Sequence, residues 1–492
     1  MKLHKNNVYI VIIIILAFLI RFYQLTEESL WGDEFFSIKA ASETSISNMW
    51  GKIKNDTHPP LYYFLLYVWF KLLGPSIFTL RFFSLIFSIL ALPFFYILTK
   101  QIANEKVGLV SLLLLAFSPY HLWYAQEGRM YSLLIFFEIL YLLSLIRFLK
   151  FQSFSSKQKI LSAIFFCITT ILIMQTHFYA IFIVFFGIAF LITLIILNKD
   201  YSSIKFLILY ILFSFINVIP NLLIISYRLA TGKGFSEFIQ LNIKTFEGII
   251  LAFVYGVFIL PKSYIFFYSL LAVHLILLIK GIFDYQNDDY NKDKKLLHHS
   301  TIFLFISLIT LPIIVSLYRP IEFYGQRYLI IGTIPYYILI STGIVTLYDK
   351  LRGRMKWLPI VFLIFIISAN LVYTKDYFDS RQKRPFDNVV KEVLDPQFTP
   401  NSAYIIEPDY LSGCINYYMK TNYIHLTYDL NSILDYMKKM EKGQKLWVIS
   451  IEAKTKDIEE TIMKHLKRGK TYFYYNEDIP YLLIRLTEYS PE

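Results

Sequence analysis

Charged side chains are scarce in this 492-residue chain: 17% are Asp, Glu, Lys or Arg, against roughly 25% in soluble globular proteins. That shortfall excludes an ordinary cytosolic enzyme. Glycine and proline are also few, 18 and 17, which excludes collagen-like and disordered low-complexity chains. Only two cysteines are present, Cys167 inside an apolar run and Cys414 in a polar stretch. They imply neither a disulfide framework nor a thiolate metal site, and they leave the redox compartment open. What is abundant is apolar surface, with 56% hydrophobic and 18% aromatic residues and a mean hydropathy of +0.51. This is the composition of a membrane protein. The net charge of +12 would suggest a nucleic-acid partner in a soluble chain; here it reads as membrane orientation, and no nucleic acid is expected.

A membrane-crossing helix needs about 20 mostly apolar residues. By that measure spans are predicted over residues 8–22, 77–99, 107–118, 130–149, 160–176, 179–197, 204–225, 264–283, 301–318, 328–348 and 357–373, about eleven in all. The third is short, and an aromatic belt from Tyr120 to Tyr124 is expected to extend it at the interface. Two apolar runs of about 13 residues, 61–73 and 248–260, are too short to cross and are read as helices on the membrane surface. The loops at 1–7, 100–106, 147–159, 198–205, 280–299 and 349–356 then share one side and hold about 18 Lys and Arg, against about 12 in the longer opposite loops. That side is assigned to the cytosol, which leaves the C-terminus outside. The first run lacks a small-residue cleavage site and is expected to remain as a span. After Tyr373 the composition turns polar, with short apolar strands at 403–406 and 446–449 and an amphipathic stretch at 458–466. The expected fold is a polytopic α-helical membrane domain, residues 1–374, with a small extracytoplasmic α/β domain, residues 375–492.

On this topology four polar clusters collect on the outer side. Trp31-Gly32-Asp33-Glu34 follows the first span; its two acids are open to reading as a solvated loop, or as a general base or metal ligand at a membrane-surface cleft. His58-Pro59-Pro60 enters the first surface helix, where two prolines hold His58 at the boundary, as a helix cap or as a site residue. The turn from Ser118 to Tyr131 carries Gln126, Glu127 and Arg129, which are costly beside a buried span unless paired or functional. Glu322 to Tyr328 holds Tyr324 and Arg327; an arginine there either snorkels from a helix end or grips a lipid-linked phosphate with its planar fork. Glu138 and His274 fall inside spans and are candidates for polar pairs within the bundle.

Taken in order, Trp31-Gly32-Asp33-Glu34, His58-Pro59-Pro60-Leu61-Tyr62-Tyr63, Thr79-Leu80-Arg81, Ser118-Pro119 through Gln126-Glu127-Gly128-Arg129-Met130-Tyr131, and Gln326-Arg327-Tyr328 resemble the GT-C membrane glycosyltransferases. The resemblance is to the branch of the protein O-mannosyltransferases and lipid A aminoarabinose transferases. It covers about the first 150 residues most closely and returns near Arg327; Gly128 stands where that family usually has Ala. It implies transfer of a sugar from a polyprenyl-phosphate carrier to a lipid, polysaccharide or protein acceptor on the outer side of the membrane, with inversion. It also implies Asp33 as the base, with Glu34 orienting it. His58, Arg129, Tyr324 and Arg327 would hold the donor phosphate, and Gln126, Glu127 and Tyr131 would contact substrate. His58 would be mostly neutral at pH 7 unless Asp33, Glu34 or the phosphate raises its pKa. No cofactor is required on this reading, and one acid pair favours metal independence while leaving a divalent cation open. A transporter or lipid flippase is the alternative, and it predicts ionisable groups near the membrane midplane in two related halves.

Overall fold

The computed structural model describes residues 5–54, 56, 58–199, 250–254, 264–283, 292–318, 326–379, 383–427, 429–451, 456–476 and 479–491, with isolated residues between 204 and 219. It forms two compact units. The first comprises Met1–Tyr23 and Ala40–Lys375, and the second Gln24–Lys39 and Asp376–Glu492. The second thus includes a segment far upstream of the polar C-terminal region, the one carrying Asp33 and Glu34.

The first unit is helical. Its described helices are α1 (Lys5–Phe22), then α3 (Ile46–Ile53), α4 (Leu61–Leu73), α5 (Ile77–Ile102), α6 (Glu105–Ala116), α7 (Pro119–Ala125), α8 (Tyr131–Ile146), α9 (Ser156–Met174), α10 (Ala180–Asn198), α11 (Tyr264–Phe283), α12 (Lys292–Tyr318), α13 (Thr333–Lys350) and α14 (Leu358–Asp379), while α2 (Gly32–Ala41) runs out of the second unit. Helix α5 packs on α1, α6 and α8, and α13 packs on α6, α11 and α12. Residues 333–345 of α13 are buried on every face, so this helix is the centre of the bundle. Peripheral helices instead turn apolar stripes outward, for example Val8, Ile12, Ile15 and Leu19 on α1 and Ile160, Ile164 and Ile168 on α9. Lipid covers such surface without cost.

Among the described residues seven helices are long and apolar enough to cross a membrane, or eight if α6 and α7 together make one span, fewer than the expected count of about eleven. The predicted span at 204–225 lies largely outside the described residues, as does most of 248–260. The 107–118 region differs from expectation for a visible reason. Helix α6 ends at Ala116 and α7 restarts at Pro119, bent by 57°. Three groups fix the break. The Arg21 guanidinium donates to the last carbonyls of α6, Ala116 O at 2.6 Å and Leu115 O at 3.1 Å. Ser118 caps α7 by accepting from His121 N, and Pro119 takes the first helical position, where no N–H is needed. Tyr120, Trp123 and Tyr124 are consequently buried in the bundle instead of forming an interfacial belt.

The second unit is built on a five-stranded sheet in the order β2-β1-β3-β5-β4, with β1 at Ala403–Glu407, β2 at Ile424–His425, β3 at Leu446–Ser450, β4 at Lys467–Asn476 and β5 at Ile479–Ser490. Strands β2, β1 and β3 are parallel, and β5 pairs antiparallel with β3 and β4. Continuous apolar runs in β1 and β3 suit strands covered on both faces. Tyr404, Ile406, Trp447 and Ile449 face residues 386–394 and α15 (Ser412–Tyr418), while Ala403, Ile405, Leu446 and Val448 face α16 (Leu430–Met437) and α17 (Lys456–Ile462).

Candidate active site

In the first unit, a buried polar cluster forms where three inter-helix segments meet. The first leads into α4: Leu61 N donates to Gln175 O at 3.0 Å, which fastens the His58-Pro59-Pro60 entry to the α9–α10 connection. The second is the α7–α8 turn, where Ser84 of α5 donates to Arg129 O at 3.2 Å. Gly128 sits here because a Cβ would lie 2.3 Å from Leu80 Cγ, a contact that needs Leu80 to move. The third is the stretch Gln326–Gly332 that enters α13 and carries Arg327.

Arg129 organises the cluster. Its Nη1 donates to the Tyr63 hydroxyl at 3.0 Å and its Nη2 to His58 Nδ1 at 3.1 Å. The Tyr63 hydroxyl in turn donates a hydrogen bond to Asp56 Oδ2 at 2.5 Å. Burial raises the Asp56 carboxyl, but hydrogen bonds from His58 and Tyr63 and the charges of His58 and Arg129 outweigh it and hold the group well below the usual carboxylate range. The acid found beside His58 is Asp56, 3.7 Å away, in place of the expected Asp33 or Glu34, which belong to the second unit. Nδ1 of His58 thus faces both the Arg129 guanidinium at 3.1 Å and the Asp56 carboxylate at 3.7 Å.

His177, between α9 and α10, is packed against the same group, 5.2 Å from the His58 ring and 6.0 Å from Tyr131 between centroids. Burial lowers its pKa well below the ordinary value, and the charges of His58, Arg129 and Arg327 push in the same direction. Arg327 is half-buried, with its guanidinium 6.0 Å from the Tyr328 ring, and Tyr328 in turn lies 5.2 Å from His177.

The other predicted residues are placed as follows. Tyr131 is fully buried, 4.7 Å from the Tyr124 ring. Glu127 is buried and accepts from Trp123 Nε1 at 3.0 Å. Gln126 donates to Arg21 O at 2.9 Å and Tyr23 O at 2.6 Å, tying the turn to the end of α1. Tyr324 lies outside the described residues. His274 bonds Leu270 O at 2.8 Å and stacks on Tyr336, and among the described residues Glu138 has no hydrogen-bond partner.

Asp33 and Glu34 belong to the second unit, in the first turn of α2, where carboxylates suit the positive end of the helix. Glu34 is completely buried and accepts from Lys383 Nζ at 2.9 Å. The segment leading to it is fixed in the same way. Lys383 N donates to Glu28 at 3.1 Å, Leu30 N donates to the Tyr418 hydroxyl at 2.7 Å, and Ser29 donates to Asp387. Phe35 packs onto the sheet core, its ring passing over Gly413 where a Cβ would lie 2.0 Å from it. The Cys414 thiol is pushed up to about 12 by burial, with Glu34 and Asp33 adding to the shift and Arg384 opposing it, which puts both acids beside this cysteine. Among the described residues no three His, Cys, Asp or Glu side chains converge to hold a metal ion.

Sequence reasoning did not single out Asp56, His177 or Lys383. Asp56 stands two residues before His58, and His177 falls between two predicted spans on the outer side. Lys383 looks like any charge after a last span, and nothing local marks Glu34 as its partner.

Residues 57–224 match the family described as dolichyl-phosphate-mannose-protein mannosyltransferase. No curated protein matches the chain. In structure the chain is similar to ArnT from Cupriavidus metallidurans in the apo state, with TM-score 0.55, 10% identity and coverage of 98% of this chain and 97% of that one. The same ArnT bound to undecaprenyl phosphate gives 0.53 at 11% identity, covering 98% of each chain. The oligosaccharyltransferase AglB from Archaeoglobus fulgidus, in complex with an inhibitory peptide and a dolichol-phosphate, gives 0.51 at 12% identity, covering 98% of this chain and 74% of that one. The fold is similar to those of ArnT and AglB, and within it residues 57–224 carry the mannosyltransferase pattern.

Proposed function

We propose that this protein transfers a sugar from a polyprenyl-phosphate carrier to an acceptor hydroxyl on the extracytoplasmic side of the membrane, inverting the anomeric centre. The observation that carries the reading is the buried Arg129 held between Tyr63 and His58, with Arg327 acting on the same neighbourhood. Several cationic or proton-donating groups withdrawn from water are what an anionic leaving group requires. ArnT and AglB, whose folds are similar, have been seen with undecaprenyl phosphate and dolichol-phosphate respectively. In the reaction, Asp33 takes the proton of the acceptor hydroxyl as its oxygen bonds to the anomeric carbon. The bond from that carbon to the phosphate oxygen breaks, and the carrier phosphate leaves with the electron pair against Arg129, Arg327 and His58. Glu34, bonded to Lys383, orients the helix that carries Asp33. On this reading the N-terminus is cytosolic, the membrane domain spans residues 1–374, and the region from 375 lies outside with the 24–39 segment bound to it.

The test is to supply purified protein in lipid with a panel of undecaprenyl-phosphate-linked sugars and follow release of free undecaprenyl phosphate, with and without EDTA. Release from one donor, abolished in Asp33→Asn and unchanged by EDTA, is expected. Release that survives Asp33→Asn would reject the assigned base, and loss on chelation would assign part of the phosphate's neutralisation to a divalent cation.

A further inference from the structure

His177 is 2% exposed, and its two nitrogens differ. Nδ1 accepts from Tyr179 N at 3.1 Å, so in the neutral ring the proton resides on Nε2. That nitrogen is buried and, among the described residues, has no hydrogen-bond partner. Buried donors in folded proteins are almost always paired, so an orphan needs an explanation. A histidine kept only for packing could be replaced by an aromatic hydrocarbon with no loss, since its ring already lies among Tyr179, Tyr328, Tyr131 and His58 at centroid distances of 5.6, 5.2, 6.0 and 5.2 Å. Its place among those rings is also its place beside Arg129, which bonds the neighbouring His58. The backbone bond from Tyr179 fixes the ring's tautomer and orientation before any ligand arrives, as is usual for histidines that donate to a substrate.

We propose that the Nε2–H of His177 is a further hydrogen-bond donor to a phosphate oxygen of the polyprenyl carrier, completed only when the ligand is bound. The inference rests on the function proposed above and adds to the phosphate grip a residue outside the sequence motifs. A neutral donor suits this position, because a third fixed positive charge beside Arg129 and Arg327 would be repelled in the empty site.

The test compares wild type, His177→Phe, His177→Gln and Arg129→Ala in nanodiscs, measuring affinity for undecaprenyl phosphate and thermal unfolding without ligand. Phe keeps the ring and removes the donor, and Gln returns an N–H near the position of Nε2. The expected result is a 10- to 100-fold loss of affinity in His177→Phe, the order expected for a hydrogen bond to a charged group. His177→Gln should recover much of it, and the ligand-free unfolding temperature of His177→Phe should equal or exceed that of wild type. A structural histidine gives the opposite pattern, a lower unfolding temperature with affinity lost in step, and that result overturns the proposal. So does unchanged affinity in His177→Phe when Arg129→Ala has lost it. Should the Phe variant not fold, His177→Met removes the donor with a smaller, more adaptable side chain and is judged in the same way. If wild type itself does not bind undecaprenyl phosphate, the proposed function fails, and this inference with it.

Discussion

Arg129 shows why a residue in this site cannot be exchanged for a chemically similar one. Its two terminal nitrogens serve different partners, Tyr63 and His58, at 3.0 and 3.1 Å, a geometry that the single ammonium of lysine does not reproduce. The neighbouring Gly128 is equally constrained, though by volume, because Leu80 occupies the space a methyl group would need. The structure thus gives a packing reason for glycine at a position where the resemblance leads one to expect alanine. His177 supplies a pH dependence with a defined sign. Burial first, then the charges of His58, Arg129 and Arg327, depress its folded pKa, so the unfolded chain binds a proton that the folded chain refuses. The associated stability is present above the unfolded value of about 6.5 and is lost as pH falls below it. Between pH 7.5 and 5.5 the unfolding temperature of wild type should therefore fall more than that of His177→Phe. Parallel curves for the two proteins would show that His177 does not remain neutral in the fold.

At the scale of elements, α2 is the instructive case. Its sequence has acids in the first turn followed by two adjacent phenylalanines, and the helix with its acidic start is what the structure shows. That α2 and the residues before it belong with the C-terminal sheet was not legible, because the partners Lys383, Asp387 and Tyr418 lie 349 to 388 residues away in sequence and long-range pairing leaves no local periodicity. Removing the ammonium in Lys383→Ala leaves the Glu34 carboxylate buried without that partner, a change that typically costs about 3–5 kcal/mol. The expected outcome is faster amide exchange confined to residues 24–39 and slower glycosyl transfer, with affinity for undecaprenyl phosphate unchanged because the phosphate grip belongs to the other unit. Exchange that stays slow in that segment would show that the ion pair does not hold it. The break between α6 and α7 teaches a similar lesson. Ser118-Pro119 is a readable helix start, yet the aromatics that follow look like an interfacial belt, and only Arg21, reaching from α1 to the end of α6, shows that the chain turns into the bundle there.

At the scale of the whole chain, composition alone pointed to several apolar helices long enough to cross a membrane, and the ordered motifs pointed to a resemblance because they stand at helix ends, where polar side chains interrupt apolar runs. The strands at 403–406 and 446–449 were legible for the same reason that the spans were: runs of apolar side chains reflect burial on all sides. The number of crossings was less accessible, since bent and short apolar helices satisfy the same hydropathy as full spans. Division of labour between the two units is the central consequence. The groups assigned to the carrier phosphate, His58, Arg129 and Arg327, lie in the first unit, and the assigned base, Asp33, lies in the second. Binding and chemistry should then be separable by mutation. The most direct test measures undecaprenyl-phosphate affinity and sugar transfer in Arg129→Ala and Asp33→Asn side by side. The account predicts that Arg129→Ala loses affinity by at least tenfold, while Asp33→Asn binds as wild type does and fails to turn over. An Arg129→Ala enzyme with wild-type affinity, or an Asp33→Asn enzyme with wild-type turnover, would contradict it.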